Sequence, residues 1–107
     1  MEQLNLYIAG PMRGCHDFNR KEFYRAEAAL NSQGIYKIIN PCKEDKQLDL
    51  TDDQLSSTEG LRIVMSRDLT DITTCDIIYM LTGWERSEGA KIEHALATML
   101  HMTIMYQ

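Results

Sequence analysis

The chain has 107 residues, room for one hydrophobic core and no second lobe, and its 44% hydrophobic and 25% charged composition excludes disordered, collagen-like and coiled-coil classes. Eleven basic against sixteen acidic residues leave a net charge of -5, with Arg62, Arg67, Lys91 and the Arg20–Lys21 pair scattered. That balance argues against nucleic acid polymers and membrane surfaces as partners and leaves open a small phosphorylated ligand, which needs one or two cations.

The elements follow in chain order. Leu4–Ala9 is a short apolar run that stops at Gly10-Pro11 and reads as a strand ending in a sharp loop. From Phe18 the apolar residues Phe18, Phe23, Ala26 and Leu30 recur at helical spacing, which predicts a helix from about Asn19 to Gln33, with Gly34 as its cap. Ile35–Ile39 is β-branched and aromatic, and Asn40-Pro41 halts it as a second strand. Lys43 to Ser57 is polar, acidic and weakly periodic, which predicts the most mobile segment and no firm element. A second helix is expected from Thr58 to Thr74, a third strand over Asp76–Leu81, a third helix from Ser87 to His101 and a last strand over Thr103–Tyr106. This alternation implies β-α-β crossovers, hence an α/β domain spanning 1–107: a Rossmann-like or flavodoxin-like parallel sheet of about four strands flanked by helices. Ligands of such sheets bind beyond the carboxyl ends of the strands, which selects the loops after Ala9, Ile39 and Leu81.

Cys15, Cys42 and Cys75 are odd in number and lack C-x-x-C spacing, so neither a disulfide framework nor a zinc site is expected. The amino-terminal Met1-Glu2-Gln3-Leu4-Asn5 is not leader-like, and no apolar run reaches ~18 residues, so a cytoplasmic protein is expected. His16, His94 and His101 share no spacing and read as surface or packing residues, and no metal is expected.

Two acids interrupt apolar helix faces. Leu61, Met65, Asp68 and Ile72 fall at steps of four, three and four, so Asp68 lies within a stripe that should face the sheet. It is either a site residue or a buried acid bonded to a backbone group or an arginine. Gly89, Glu93, Leu96, Ala97 and Leu100 likewise put Glu93 on an inward face. The third helix starts at the carboxyl edge of the sheet whereas the second returns there by its amino-terminal half. Asp68 therefore sits deeper, or its helix begins later than drawn. Ser87-Glu88-Gly89 reads as an anion site at a helix N-terminus or as a plain serine cap, and Gly10-Pro11-Met12-Arg13-Gly14 as a phosphate loop or only a turn. Tyr7 either points its phenol to the strand end or packs, and Trp84 either walls a base or covers core or interface.

Taken together, Leu6-Tyr7-Ile8-Ala9-Gly10-Pro11-Met12-Arg13-Gly14, Arg67-Asp68-Leu69 before Cys75-Asp76, and Ser87-x-Gly89-x-x-x-Glu93-x-x-x-Ala97 resemble the nucleoside 2-deoxyribosyltransferase superfamily over nearly the whole chain. The opening and Gly83-Trp84-Glu85-x-Ser87-x-Gly89-Ala90 are similar to its short bacterial and phage members. The resemblance implies Glu93 attacking the anomeric carbon of a deoxyribose, Asp68 assisting the departing base and Tyr7 orienting the nucleophile, without a cofactor. It also implies a homodimer or higher homo-oligomer in which a partner completes the site. Base-exchanging members carry an acid where this chain has Ser87, and members that hydrolyse deoxynucleoside 5′-monophosphates carry a serine. With Arg13, Gly14 and Gly89 nearby and Gly10 opening the first loop, a monophosphate substrate is favoured. Trp84-Glu85-Arg86, an insertion relative to typical members, adds charge at the pocket mouth. The alternatives are a transferase acting on free nucleosides and a non-catalytic module binding a nucleotide or ADP-ribose-like ligand.

Overall fold

The computed structural model describes residues 3–107; Met1 and Glu2, part of the run read above for a leader, lie outside the described residues. Four strands form one parallel sheet: β1 (Leu4–Ala9), β2 (Tyr36–Ile39), β3 (Ile77–Met80) and β4 (Thr103–Tyr106), in the order β2-β1-β3-β4. Five helices flank it: α1 (Arg20–Asn31), α2 (Pro41–Lys46), α3 (Asp52–Ser56), α4 (Thr58–Ile72) and α5 (Glu88–Met99). The α/β class, the parallel sheet and the number of strands are as the alternation of patterns predicts. No helix among the described residues is long and apolar enough to cross a membrane.

Strand periodicity divides the core in two. On β1, Leu6 and Ile8 pack with Phe23, Ala26 and Leu30 of α1, while Tyr7 and Ala9 point to the opposite face with Ile72 of α4 and Ala90 and Ala97 of α5. On β3, Ile77 joins the first cluster, and Ile78 and Met80 join the second. The strand order changes direction between β1 and β3, because the chain leaves β1 for β2 on one side and later returns to pair β3 on the other. Such a switch point opens a crevice at the carboxyl ends of the two strands. Gly10 fits there because a Cβ on it would lie 2.7 Å from Leu81 Cβ.

Two sequence expectations need correction. Residues 43–57, predicted to form no firm element, contribute most of α2 and all of α3. Both are fixed by their ends instead of by an apolar stripe: Asn40 accepts from Cys42 N–H at 2.9 Å with Pro41 opening the helix, and Thr51 and Gln54 form a reciprocal capping box. Phe18 is not the first apolar position of α1. Asp17, Phe18 and Asn19 all take positive φ in a short 3-10 turn, and Phe18 stacks under the Arg20 guanidinium at 4.9 Å. The other boundaries agree within about two residues; the C-cap of α1 is Ser32, and Gly34, expected as the cap, takes φ +71° in the turn that follows.

Candidate active site

A cavity of about 550 Å³ opens at the switch point, within the range usual for small-molecule sites. The loop after β1 lines it with Gly10, Met12, Arg13 and Gly14; α4 supplies Leu61, Val64, Met65 and Asp68; the start of α5 and the turn before it supply Arg86 to Ala90, Ile92 and Glu93. Asp68 and Glu93, placed on inward faces by helical spacing, therefore meet at one cavity from separate helices. Asp68 reaches it from the third turn of α4, so the cavity runs down between the helices toward the sheet.

Tyr7 is fully buried behind these acids, and its hydroxyl donates to Glu93 Oε2 at 2.8 Å. Arg67 donates to Asp68 Oδ1 from Nε at 3.1 Å and from Nη2 at 2.6 Å, and Nη2 also donates to Asp45 Oδ1 at 2.7 Å. Burial pushes Glu93 up to about 8, with the charge of Asp68 adding to the rise and the hydrogen bond from Tyr7 opposing it. Burial also raises Asp68, to about 6, against the pull of Arg67. Between these values the two carboxyls hold about one proton as a pair. Burial, then the charges of Glu93 and Asp68, raise the Tyr7 phenol, so it stays a donor. Arg67 stays a cation because Asp68 and Asp45 outweigh its own burial.

Two cations and a third acid, Arg13, Arg86 and Glu88, also line the cavity. Ser87 caps α5 by accepting from Ala90 N–H at 3.2 Å, and Gly89 in the first turn leaves its backbone open, with only Met65 Sδ within 4 Å of a Cβ placed there. Arg86 folds over Gly83, its Nη2 lying 2.9 Å from where a Cβ would stand, and Gly83 has φ +91°. Arg13, on the loop after β1, donates to Ser56 carbonyl oxygen at 2.9 Å and thereby ties that loop to the end of α3.

Comparison with protein families matches residues 4–106 to the family described as Domain of unknown function (DUF4406). The chain belongs to the DUF4406 family. Comparison with curated proteins finds no match. The DUF4406 match runs from the first residue of β1 to the last of β4 and so includes every residue of the cavity.

Within this DUF4406 domain the structure brings together Gly10, Arg13, Gly14, Asp68, Ser87, Gly89 and Glu93 at the cavity, with Tyr7 behind it. Trp84, proposed from the sequence as a base contact, is not among the lining residues. Its ring stacks on His94 at 4.2 Å and tilts against Tyr106 at 6.1 Å, while His94 Nε2 and the Tyr106 hydroxyl lie 2.9 Å apart. It covers that side of the domain because the 3-10 turn Trp84–Arg86 sends its ring over α5 and β4. The loop after Ile39 also fails to line the cavity, although α2, which follows it, carries Asp45. Sequence reasoning missed Asp45, which sits in the weakly periodic segment, and gave Arg67 no role of its own. Among the described residues no group of three or more His, Cys, Asp or Glu side chains could hold a metal ion. The three cysteines are free, and Cys42 and Cys75 are buried.

Proposed function

We propose that the protein hydrolyses the N-glycosidic bond of a deoxynucleoside 5′-monophosphate through a covalent glycosyl ester on Glu93. The observation that carries this reading is the meeting of two buried carboxyls, Asp68 and Glu93, at one cavity, with the Tyr7 hydroxyl holding Glu93 Oε2. Burying two acids side by side is costly unless their proton affinities are used. The resemblance to the nucleoside 2-deoxyribosyltransferase superfamily supplies the same three residues in the same roles.

In the reaction, a Glu93 oxygen attacks the anomeric carbon as the carbon–nitrogen bond breaks, its electron pair leaving with the base, which takes a proton from Asp68. Water then attacks the same carbon, the ester bond to Glu93 breaks, and the Asp68 carboxylate takes the proton that water loses. Before substrate binds, the shared proton rests on Glu93, whose pKa is the higher. Positive charge developing on the sugar stabilises the Glu93 carboxylate and moves the proton to Asp68, which also removes the neighbouring negative charge that raised Glu93. Tyr7 keeps the carboxylate oriented throughout. The 5′-phosphate fits the mouth, where Ser87, the α5 N-terminus at Gly89, Arg13 and Arg86 offer donors and positive charge. The reading includes self-association, for which Ile63 on α4 and Ile92 and Met99 on α5 provide exposed apolar surface and which sedimentation tests directly.

The test is incubation of the protein with nucleoside 5′-monophosphates and the matching nucleosides, with and without a second free base, with released base resolved by chromatography. Release from monophosphates that disappears in Glu93→Ala is the expected result. Exchange of bases on free nucleosides identifies a transferase instead. Nucleotide binding without release from any substrate identifies a binding module.

A further inference from the structure

Asp45 does not line the cavity, yet it is 8% exposed and reaches the site through one contact, the 2.7 Å hydrogen bond to Arg67 Nη2. The same Nη2 donates its other N–H to Asp68 at 2.6 Å, so two carboxylates meet at one guanidinium nitrogen and their charges face each other across it. An arginine spent on Asp68 alone would favour its ionised form and oppose any role for it as an acid. We propose that Asp45 is a positioning residue for Asp68: by setting a second negative charge against Arg67 from α2, it offsets the pull of the guanidinium and leaves Asp68 able to carry the proton that the departing base requires.

This inference rests on the hydrolase reading above and assigns α2 a part in it. The groups that bear on Asp68 are Arg67 from its own helix, Asp45 and Cys42 from α2, Tyr7 from β1 and Glu93 from α5, with Arg13 and Arg86 lining the same cavity. Of these, Arg67 lowers the pKa of Asp68 and Asp45 raises it, in line with the hydrogen-bond geometry. Asp45 does not act on Glu93 to a comparable extent, so a change at Asp45 separates the two carboxyls. A merely structural ion pair would alter stability and leave the ionisation of Asp68 where it stands.

The experiment is a carbon-13 NMR titration of the aspartate carboxyls in the full chain, with the Asp68 signal assigned by its loss in Asp68→Asn. In Asp45→Asn, which keeps an acceptor for Arg67 but removes the charge, the Asp68 midpoint is expected to fall from about 6 by about half to one pH unit. Asp45→Glu should restore it, and Arg67→Gln should move it upward. In the base-release assay the acid limb, set by the first proton the pair loses near 6, should shift to lower pH in Asp45→Asn, with the loss in kcat and not in KM. An Asp68 midpoint that stays fixed or rises in folded Asp45→Asn overturns the proposal. Asp45→Ser serves as a second neutral variant, and failure of both to fold overturns it in favour of a purely structural role. Wild-type protein that releases no base refutes the hydrolase, while the titration still decides whether Asp45 governs Asp68.

Discussion

Replacing Glu93 with glutamine should abolish base release and at the same time shift stability in favour of the variant as pH rises. Glu93 is 6% exposed, and burial followed by the charge of Asp68 moves it from an ordinary 4.5 to about 8. The folded protein therefore keeps a proton that the unfolded chain has released, and stability falls as pH rises from about 4.5 to about 8. With those two values the cost of the acid is about 1 kcal/mol at pH 5, about 3 kcal/mol at pH 7 and nearly 5 kcal/mol at pH 9. Glutamine keeps an acceptor for Tyr7 but buries an amide, which takes back about 1–2 kcal/mol at every pH. Against wild type, Glu93→Gln should thus be about equal or slightly less stable at pH 5 and more stable at pH 9. The swing between those conditions is about 4 kcal/mol, and half of it would still be resolved by urea denaturation. A stability difference that is the same at pH 5, 7 and 9 would refute the argument, because it would mean that Glu93 carries no raised proton affinity.

Three further outcomes follow from the geometry. Gly10→Ala drives a methyl group to 2.7 Å from Leu81 Cβ and should cost about 1–3 kcal/mol, read as a lower urea midpoint. Ser87→Asp keeps the cap on α5 but sets a carboxylate at the mouth, so KM for monophosphates should rise about tenfold or more while free nucleosides change less, as steady-state kinetics would record. Trp84→Ala removes the stack on His94 and should lower stability by about 1–3 kcal/mol without changing the ranking of bases released; an altered ranking would return Trp84 to the pocket.

Most of the sheet was legible because its signals are local: Leu4–Ala9 ends at Gly10-Pro11, and Thr103–Tyr106 is apolar beside a predicted helix end. The two buried acids were legible because helical spacing places any residue on a face, whatever its chemistry. The helices α2 and α3 were not, since at six and five residues they are too short for an apolar stripe to declare itself. Their signals were the caps, and Thr51-x-x-Gln54 is a capping signature that could have been read. Asn40-Pro41 was read as the end of β2, although it also begins α2. The sharing of Arg67 between Asp45 and Asp68 had no sequence signature, because it depends on a single ion pair that joins α2 to α4 across 22 positions of chain.

The charge balance around Asp68 favours a catalytic over a purely binding role. Asp45, Asp68 and Glu93 are each less than 9% exposed, and the one cation bonded within the cluster is the half-buried Arg67, so the cluster is short of positive charge even when one proton is shared between Asp68 and Glu93. A network selected only to hold helices together would be expected to satisfy its charges internally, since an excess buried carboxylate destabilises the fold. A pocket selected only to bind a nucleotide would gain nothing from two buried acids, because a phosphate is itself an anion. A reaction whose transition state carries positive charge on the sugar is stabilised by that deficit, and only while bonds are breaking. Arg13 and Arg86 on the same cavity as Asp68 and Glu93 are what the proposed substrate would call for, with an anionic group at one end and a carbon that becomes cationic at the other.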